Sequence, residues 1–502
     1  MSENSPHSSE YENTRNALLQ QVEAVEAEMT RMRWALPLEI EKEHLRLCSK
    51  INSLSPFDQL PAEIKTEIFY NALCPSTDGP VDPFFLGKIC HGWRDFVWST
   101  PILWTALYLQ LSTDHYEAQA ILLRDWLSRT GKYPISFCLD TEEFLETRNH
   151  SPVEVLTLFA SVSARWREIE ISFPDLQACF DTISTTEKSL PLLTAATIQL
   201  DATEGELNLL MAPQLSKLRL YNPPPSSLRK VLAPWHQLRE FLADCRYVDE
   251  IRLFLHNAPH LVRCTFSDIV SSILESSLDQ ELFHRPLLLE HLQYLELRFD
   301  NINVESTWIL KQVRLPSLRE VFLHNPAYTP QEALLSQITN SFQSSPLLEK
   351  FTWSGTMMSD HDLIQALKNI PSVKDLSLDF LSYGYISNLK LLTEEFLQRL
   401  YFPHAEILLP NLRSFEYHGA TSLNEHMHLF RDVLVYRFRE YALRATEGES
   451  EQMTVSQITS VSVTSSDTFV VSPDIQEELN SLVQAGLELS LIDIPGRSRS
   501  EH

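Results

Sequence analysis

A chain of 502 residues is long enough for roughly two to four ordinary domains or one extended repeat array. Hydrophobic residues at 43% and charged residues at 22% are ordinary for a globular protein, but acidic residues outnumber basic ones 67 to 41, for a formal net charge of −26. That sign argues against broad nucleic-acid or anionic-membrane binding, because both rely on basic patches.

The seven cysteines (48, 74, 90, 138, 179, 245 and 264) form no CxxC pair and no regular framework. The polar start MSENSPHSSE has no apolar signal core, and no apolar run approaches a membrane span. Reduced thiols and an intracellular protein of the cytoplasm, the nucleus or both are expected.

In chain order, residues 1–16 read as a disordered N-terminus. Residues 17–53 read as a helical lead-in, because Leu18, Val22, Val25, Met29, Met32 and Leu36 recur at alternating spacings of four and three. Pro37 interrupts that seam, and a second run restarts at Ile40, His44, Leu47, Ile51 and Leu54. Two readings stay open: a homodimer seam through residues 17–53, or a helical pair folded back on residues 54–108.

Residues 54–108 carry the most specific pattern. Leu60-Pro61 opens a helix, since proline suits a first helical position. Ile64, Ile68 and Ala72 then form a stripe, with Phe69 and Leu73 one residue further round. The Pro/Gly-rich stretch CPSTDGPVDP ends it. A second helix is expected with Leu86, Ile89, Cys90, Trp93, Phe96 and Val97 on one face, closed by Ser99-Thr100-Pro101 and followed by Leu103-Trp104. A module this small makes a poor core alone and should lean on its own chain or on a partner.

LPxEIxxEIF, a variable insert, CxxWR and a closing TPxLW together resemble the F-box-like motif, most closely its fungal form, in which LSP precedes the LP. The other reading is a helical hairpin packed into a larger helical core. The resemblance implies docking on the Skp adaptor of Skp–cullin–F-box ubiquitin ligases. It also implies that the rest of the chain selects a substrate. Leu60, Pro61, Ile64, Ile68, Leu86, Ile89, Cys90 and Trp93 are the expected adaptor-binding residues.

Over residues 109–445 an internal repeat appears, P-x-Φ-x-x-Φ-x-Φ with Φ apolar. It is clearest at Pro213, Leu215, Leu218 and Leu220, and its first apolar positions are Trp166, Leu193, Leu215, Leu238, Leu261, Leu292, Leu318, Leu348, Val373 and Leu412. Most spacings lie near the roughly 20–29-residue period of leucine-rich repeats. Each unit reads as a short strand with Leu218 and Leu220 on one side. Helices are expected after Thr329-Pro330, Ser359 and Thr393. The fold class is therefore a repeat α/β solenoid of parallel strands and outer helices behind a short helical module.

The repeats resemble the degenerate leucine-rich repeats of F-box proteins. The asparagine expected three residues after the last leucine is missing, with Pro223 and Pro326 in two of its places, so asparagine ladders are not expected to brace the turns. Residues 446–492 read as an acidic linker, a strand at Ile458, Val461 and Val463, and a capping helix from Ser472-Pro473 through Ile475, Leu479, Leu482 and Val483. Residues 493–502 read as a disordered tail.

No phosphate-cradling, nucleophile-elbow or zinc-protease motif occurs, and eleven glycines leave few places for one. His418, His426, His428 and His404 read as surface and packing residues rather than a metal site. Asp360-His361-Asp362 sits where acids cap a helix. No enzyme activity, cofactor, metal, nucleic acid or membrane is expected. The expected function is a substrate receptor that binds a Skp-type adaptor, through it a cullin-RING ligase, and an unknown protein substrate on the solenoid. The alternative is a protein-interaction scaffold whose F-box-like module only caps the solenoid.

Overall fold

The computed structural model describes residues 6–31, 38–73, 82–112, 115–141, 153–172, 189–199, 207–221, 227–245, 247–270, 286–300, 305–325, 334–355, 358–380, 390–401, 407–440, 455–465 and 467–494. The chain divides into two compact units, Met1–Leu193 and Thr194–His502.

The first unit begins with α1 (Pro6–Arg31) and α2 (Leu38–Ser53), which pack against each other. The residues that α1 withdraws from solvent include Leu18, Val22, Val25 and Met29, and those of α2 include Ile40, His44, Leu47 and Ile51. The described part of the seam lies where α1 and α2 pack within one chain, and Glu26 pairs with His44 at 3.2 Å. Met32 and Leu36 lie outside the described residues. Next come α3 (Ala62–Ala72), α4 (Pro83–Ile89), α5 (His91–Ser99) and a 3-10 turn at Pro101–Trp104.

The strands start at once. β1 (Ala106–Leu111), β2 (Ile135–Thr141) and β3 (Trp166–Ser172) pair in parallel, with α6 (Tyr116–Arg129) and α7 (Val153–Ser161) as crossovers. Strict alternation in β1 buries Leu107, Leu109 and Leu111.

The second unit repeats one strand many times. Its strands are β4 (Ala195–Gln199), β5 (Leu207–Asn208), β6 (Lys217–Tyr221), β7 (Val231–Leu232), β8 (Glu240–Asp244) and β9 (Arg263–Ile269). They continue with β10 (Leu287–Leu288), β11 (Tyr294–Phe299), β12 (Val313–Arg314), β13 (Glu320–Asn325), β14 (Lys350–Gly355) and β15 (Asp375–Asp379). The last are β16 (Ser414–His418), β17 (Ser460–Ser465) and β18 (Glu488–Asp493). The order is β4-β6-β8-β9-β11-β13-β14-β15-β16-β17-β18, while β5–β7 and β10–β12 form separate short pairs.

All these pairs are parallel, and register stacks like on like: Leu218 on Phe241, then Cys264, Leu295, Val321, Phe351, Leu376 and Phe415. Every first apolar position of the ten sequence repeats is buried. The unit is α/β with a long sheet of parallel repeats. The helices expected after Ser359 and Thr393 are Asp360–Lys368 and Glu394–Leu400. Thr329-Pro330 lies outside the described residues, with a helix at Leu334–Asn340 beyond it. The C-terminal strand and helix form as expected, but Val483 faces solvent, and β18 comes after them as a strand the sequence pattern had not signalled.

Buried polar groups brace successive repeats in place of an asparagine ladder. Asp360, at the start of one repeat's helix, accepts hydrogen bonds from the backbone N–H (2.9 Å) and the hydroxyl of Thr393. It thereby holds Thr393, the N-cap residue of the next repeat's helix, just after Leu392 at a left-handed φ of 59°. Arg437 donates to the carbonyls of Leu400, Leu408 and Leu409 at 2.9–3.0 Å. These bonds hold a turn in which Leu409 has φ 50°. Burial lowers the Arg437 pKa to about 10, so it stays charged at neutral pH. Asn325, one residue short of the expected asparagine slot, is also buried.

Gly355 closes β14 against the backbone of Asn325, and an added Cβ would lie 2.3 Å from the Asn325 carbonyl oxygen. Gly355→Ala is therefore expected to lower stability by about 1–3 kcal/mol in urea unfolding, since backbone rather than a flexible side chain must yield.

The helix Val248–Asn257 opens with two buried carboxylates. Asp249 pairs with Arg229 at 2.9 Å, leaving Glu250 3.9 Å from the same guanidinium. Burial first, then the Asp249 charge, raises the Glu250 pKa from 4.5 to about 7, against the pull of Arg229. Folding therefore tightens proton binding, so the stabilisation is full below pH 4.5 and lost as pH rises through about 7. Glu250→Gln should remove about 1–3 kcal/mol of the stability decline that the wild type shows between pH 5 and 8, read as urea midpoints.

Candidate functional site

The helical module of the first unit is assembled on two aromatic clusters. Phe57, Phe69 and Trp93 meet with ring centroids 4.7–5.1 Å apart, and Phe96 joins Phe69 at 5.8 Å. The second cluster joins the module to α6: Trp104 lies 5.0 Å from Trp126, 5.2 Å from Phe84 and 5.3 Å from Trp98. Trp104 is fully buried and donates its indole N–H to the Val97 carbonyl at 2.8 Å, while Trp126 donates to the Trp104 carbonyl at 2.7 Å. The Arg129 guanidinium covers the Trp98 and Trp104 rings at 5.2 and 5.0 Å. The small module leans on its own chain.

The expected single second helix is two helices. Cys90 is extended (φ −157°, ψ 167°) and its sulfur accepts the Trp93 N–H at 3.4 Å, so it caps α5 instead of continuing α4. Arg94 then reaches back and donates to the Gly87 carbonyl at 2.8 Å, satisfying the end of α4. Gly87 packs under the Trp98 ring, where an added Cβ would come within 2.2 Å of a ring carbon.

This break redistributes the eight residues singled out from sequence. Leu86 is 5% exposed and belongs to the module's interior. Leu60, Cys90 and Trp93 are half-buried, with Trp93 stacked in the first aromatic cluster. Pro61, Ile64, Ile68 and Ile89 are exposed, the three isoleucines at 48%, 43% and 53%. On α3 the stripe splits: Phe69 and Leu73 point inward, while Ile64 and Ile68, one turn apart, share an open face.

Two further apolar residues of the first unit are exposed. Phe85 is exposed because Phe84, the preceding residue, occupies the aromatic cluster. Leu45 of α2 faces Ile89 across a cavity of about 330 Å³, with Cys48, Lys88 and Arg94 also in its lining. The paired Phe84-Phe85 at a helix start was the signal available in sequence, since neighbouring helical positions point about 100° apart.

Other candidates resolve into structure. Ser359 accepts the Asp362 N–H at 3.1 Å and donates to its carboxylate at 2.6 Å, so Asp360-His361-Asp362 is a capped helix start. His418 pairs with Glu416 at 3.2 Å, His426 is half-buried, His428 is exposed and His404 lies outside the described residues. Among the described residues, no group of three or more His, Cys, Asp or Glu is placed to hold a metal ion. No helix among them is long and apolar enough to cross a membrane. Burial raises the Cys138 thiol to about 12 and pushes Cys245 and Cys264 up as well, away from the thiolate.

No protein-family model matches the chain, and comparison with curated proteins gives no match. Among solved structures, the crystal structure of the TLR13–ssRNA13 complex is similar at 12% identity. The likeness covers 78% of this chain and 71% of that chain, with a TM-score of 0.20.

The geometry separates residues that hold the module from residues that face outward. Trp104→Ala should cost about 3–5 kcal/mol in urea unfolding, because it empties the second cluster. Ile64→Ser with Ile68→Ser should change stability by less than about 1 kcal/mol, as exposed positions do.

Proposed function

We propose that the chain is a non-catalytic F-box substrate receptor of a Skp–cullin–F-box-type ubiquitin ligase. The observation that carries this reading is the set of large apolar side chains that the helical module leaves exposed. Ile64, Ile68, Phe85 and Ile89 stand in solvent although the same helices bury Phe69, Leu73 and Leu86. A module that only capped its neighbour would have no use for such exposure, whereas a docking module needs apolar surface uncovered. The ordered motif LPxEIxxEIF…CxxWR…TPxLW, which resembles the F-box, supports the same choice and names the Skp adaptor as the occupant.

In this reading no bond chemistry belongs to the chain. The module holds the adaptor and through it the cullin-RING ligase. The sheet of the second unit holds a protein substrate, and the ligase gains a high local substrate concentration. The alternative is a scaffold whose module caps the repeats. It draws on the α1–α2 pair, which packs α2 beside α5 and partly walls the Ile89 cavity.

Co-purification of the full chain with a Skp adaptor, followed by affinity measurement, tests the proposal. A stable one-to-one complex is expected. Leu60→Ala with Pro61→Ala should abolish it while the chain keeps its circular dichroism spectrum and melting temperature. Undiminished binding by that soluble double variant would refute the assignment of Leu60 and Pro61 to adaptor binding. No binding by folded, monodisperse wild type would favour the capped scaffold.

A further inference from the structure

The open face of the second unit's sheet has an organised centre. Alternation along β11 sends Tyr294, Glu296 and Arg298 outward, opposite the buried Leu295 and Leu297. Glu296 nevertheless is only 7% exposed. Neighbours on the same face enclose it: Tyr294 donates to it at 2.8 Å, Thr265 of β9 at 3.1 Å and the Arg298 Nε at 2.7 Å. Arg298 lies over Phe322 of β13, 5.7 Å from the ring centroid, and Phe322 stacks with His324 at 6.3 Å. Arg263 lies over Tyr294 at 4.0 Å and has no ion-pair partner among the described residues. Arg298 also sits at a register shift between β9 and β11, beside Asp268 at φ 55°.

None of these side chains serves the core. Together they form a rigid platform of Arg, Tyr, Phe and His, a composition found at interface centres. Their mutual bonds fix the rotamers in advance, which lowers the ordering cost of binding.

The charge changes along the same rows. From Thr265 and Glu296 the central row continues through Phe322, Thr352 and Ser377 to Glu416. From Arg298 the next row runs through His324 and Ser354 to Asp379 and His418. In the third row Arg263 and Tyr294 lead to Glu320, Lys350 and Asp375. In the first two rows small hydroxyl side chains thus lie between the platform and an end carrying Asp379 and Glu416, while the row of Arg263 holds Glu240 before it and Glu320 and Lys350 on the way to Asp375. Lys350 is the one lysine or arginine among the described outward residues of β13 to β16. Burial and the nearby Arg298 lower the pKa of His324.

We propose that this face receives an extended peptide lying across the strands, with an acidic side chain on Arg263 and a basic side chain on Asp379 and Glu416. Arg263 lies four strand spacings from Asp379 and five from Glu416, or about 19 and 24 Å, which an extended peptide spans in about six to seven residues. The inference rests on reading the sheet as the substrate-holding surface. It thereby narrows the substrate to one carrying paired opposite charges at that separation.

The test is a selection of displayed random twelve-residue peptides on the full chain, followed by affinity measurement with the selected peptides made synthetically. Enrichment of an acidic and a basic residue about six to seven positions apart is expected. Arg263→Glu and Glu416→Lys should each weaken those peptides at least tenfold with melting temperatures unchanged. The double charge swap should bind a peptide of reversed polarity. Selected peptides without the paired charges, or equal binding by both single variants, overturn the proposal. Tighter binding of a phosphorylated peptide that ignores Glu416→Lys would overturn it in favour of a simple anion site. Adaptor co-purification, run in parallel, should be unaffected by either variant, so failure of the ligase reading and failure of this one are read separately.

Discussion

The structure depends on a constraint of parallel strands: a single one cannot bury its own apolar side chains. A typical strand of the second unit offers two inward positions, such as Leu218 and Leu220, and both are covered only because neighbours stand in register beside them. A slip of one residue would turn every such pair toward solvent. Register is therefore enforced at each step, and it also fixes what lies on the other face. The rows that place Arg263 beside Tyr294, and Ser377 beside Glu416, are consequences of where the leucines must stack.

The helical module solves a different problem. With α3, α4 and α5 so short, its apolar residues cannot all be covered, and tryptophan supplies most of what can be. Trp104 combines large buried area with a hydrogen bond back to Val97, so the end of α5 and the start of the strands are fixed by one side chain. The residues left over, Ile64, Ile68, Phe85 and Ile89, are the ones the clusters have no room for.

Much of this was legible in sequence because it is periodic. The repeat positions from Trp166 to Leu412 are all buried, and the seam Leu18-Val22-Val25-Met29 is the covered face of α1. What escaped is what periodicity does not encode. The break at Cys90 depends on Arg94 reaching the Gly87 carbonyl and on Trp98 lying over Gly87, both tertiary contacts. Strands β1 and β2 lack the proline-led signature in register, and β18, although Leu487, Leu489 and Leu491 alternate, has Gly486 ahead of them instead of the leading Pro-x-Φ-x-x. The braces at Asp360 and Arg437 use residues that look like surface charges until their carbonyl and amide partners are known. Of the residues singled out for the module's docking face, Leu86 and Trp93 share the apolar character of Ile64 and Ile68, and only packing tells them apart.

The Asp360–Thr393 contact has a consequence for how the array comes apart. A repeat whose helix is capped only by its own residues can fray alone. Here the N-cap residue of the helix beginning at Glu394 is held by the repeat before it, so opening the Asp360 helix strips a partner from the next one as well. In a quasi-one-dimensional array this strengthens nearest-neighbour coupling without adding apolar area. Hydrogen exchange across the two helices should therefore report one shared opening event, with similar protection on both sides of the contact.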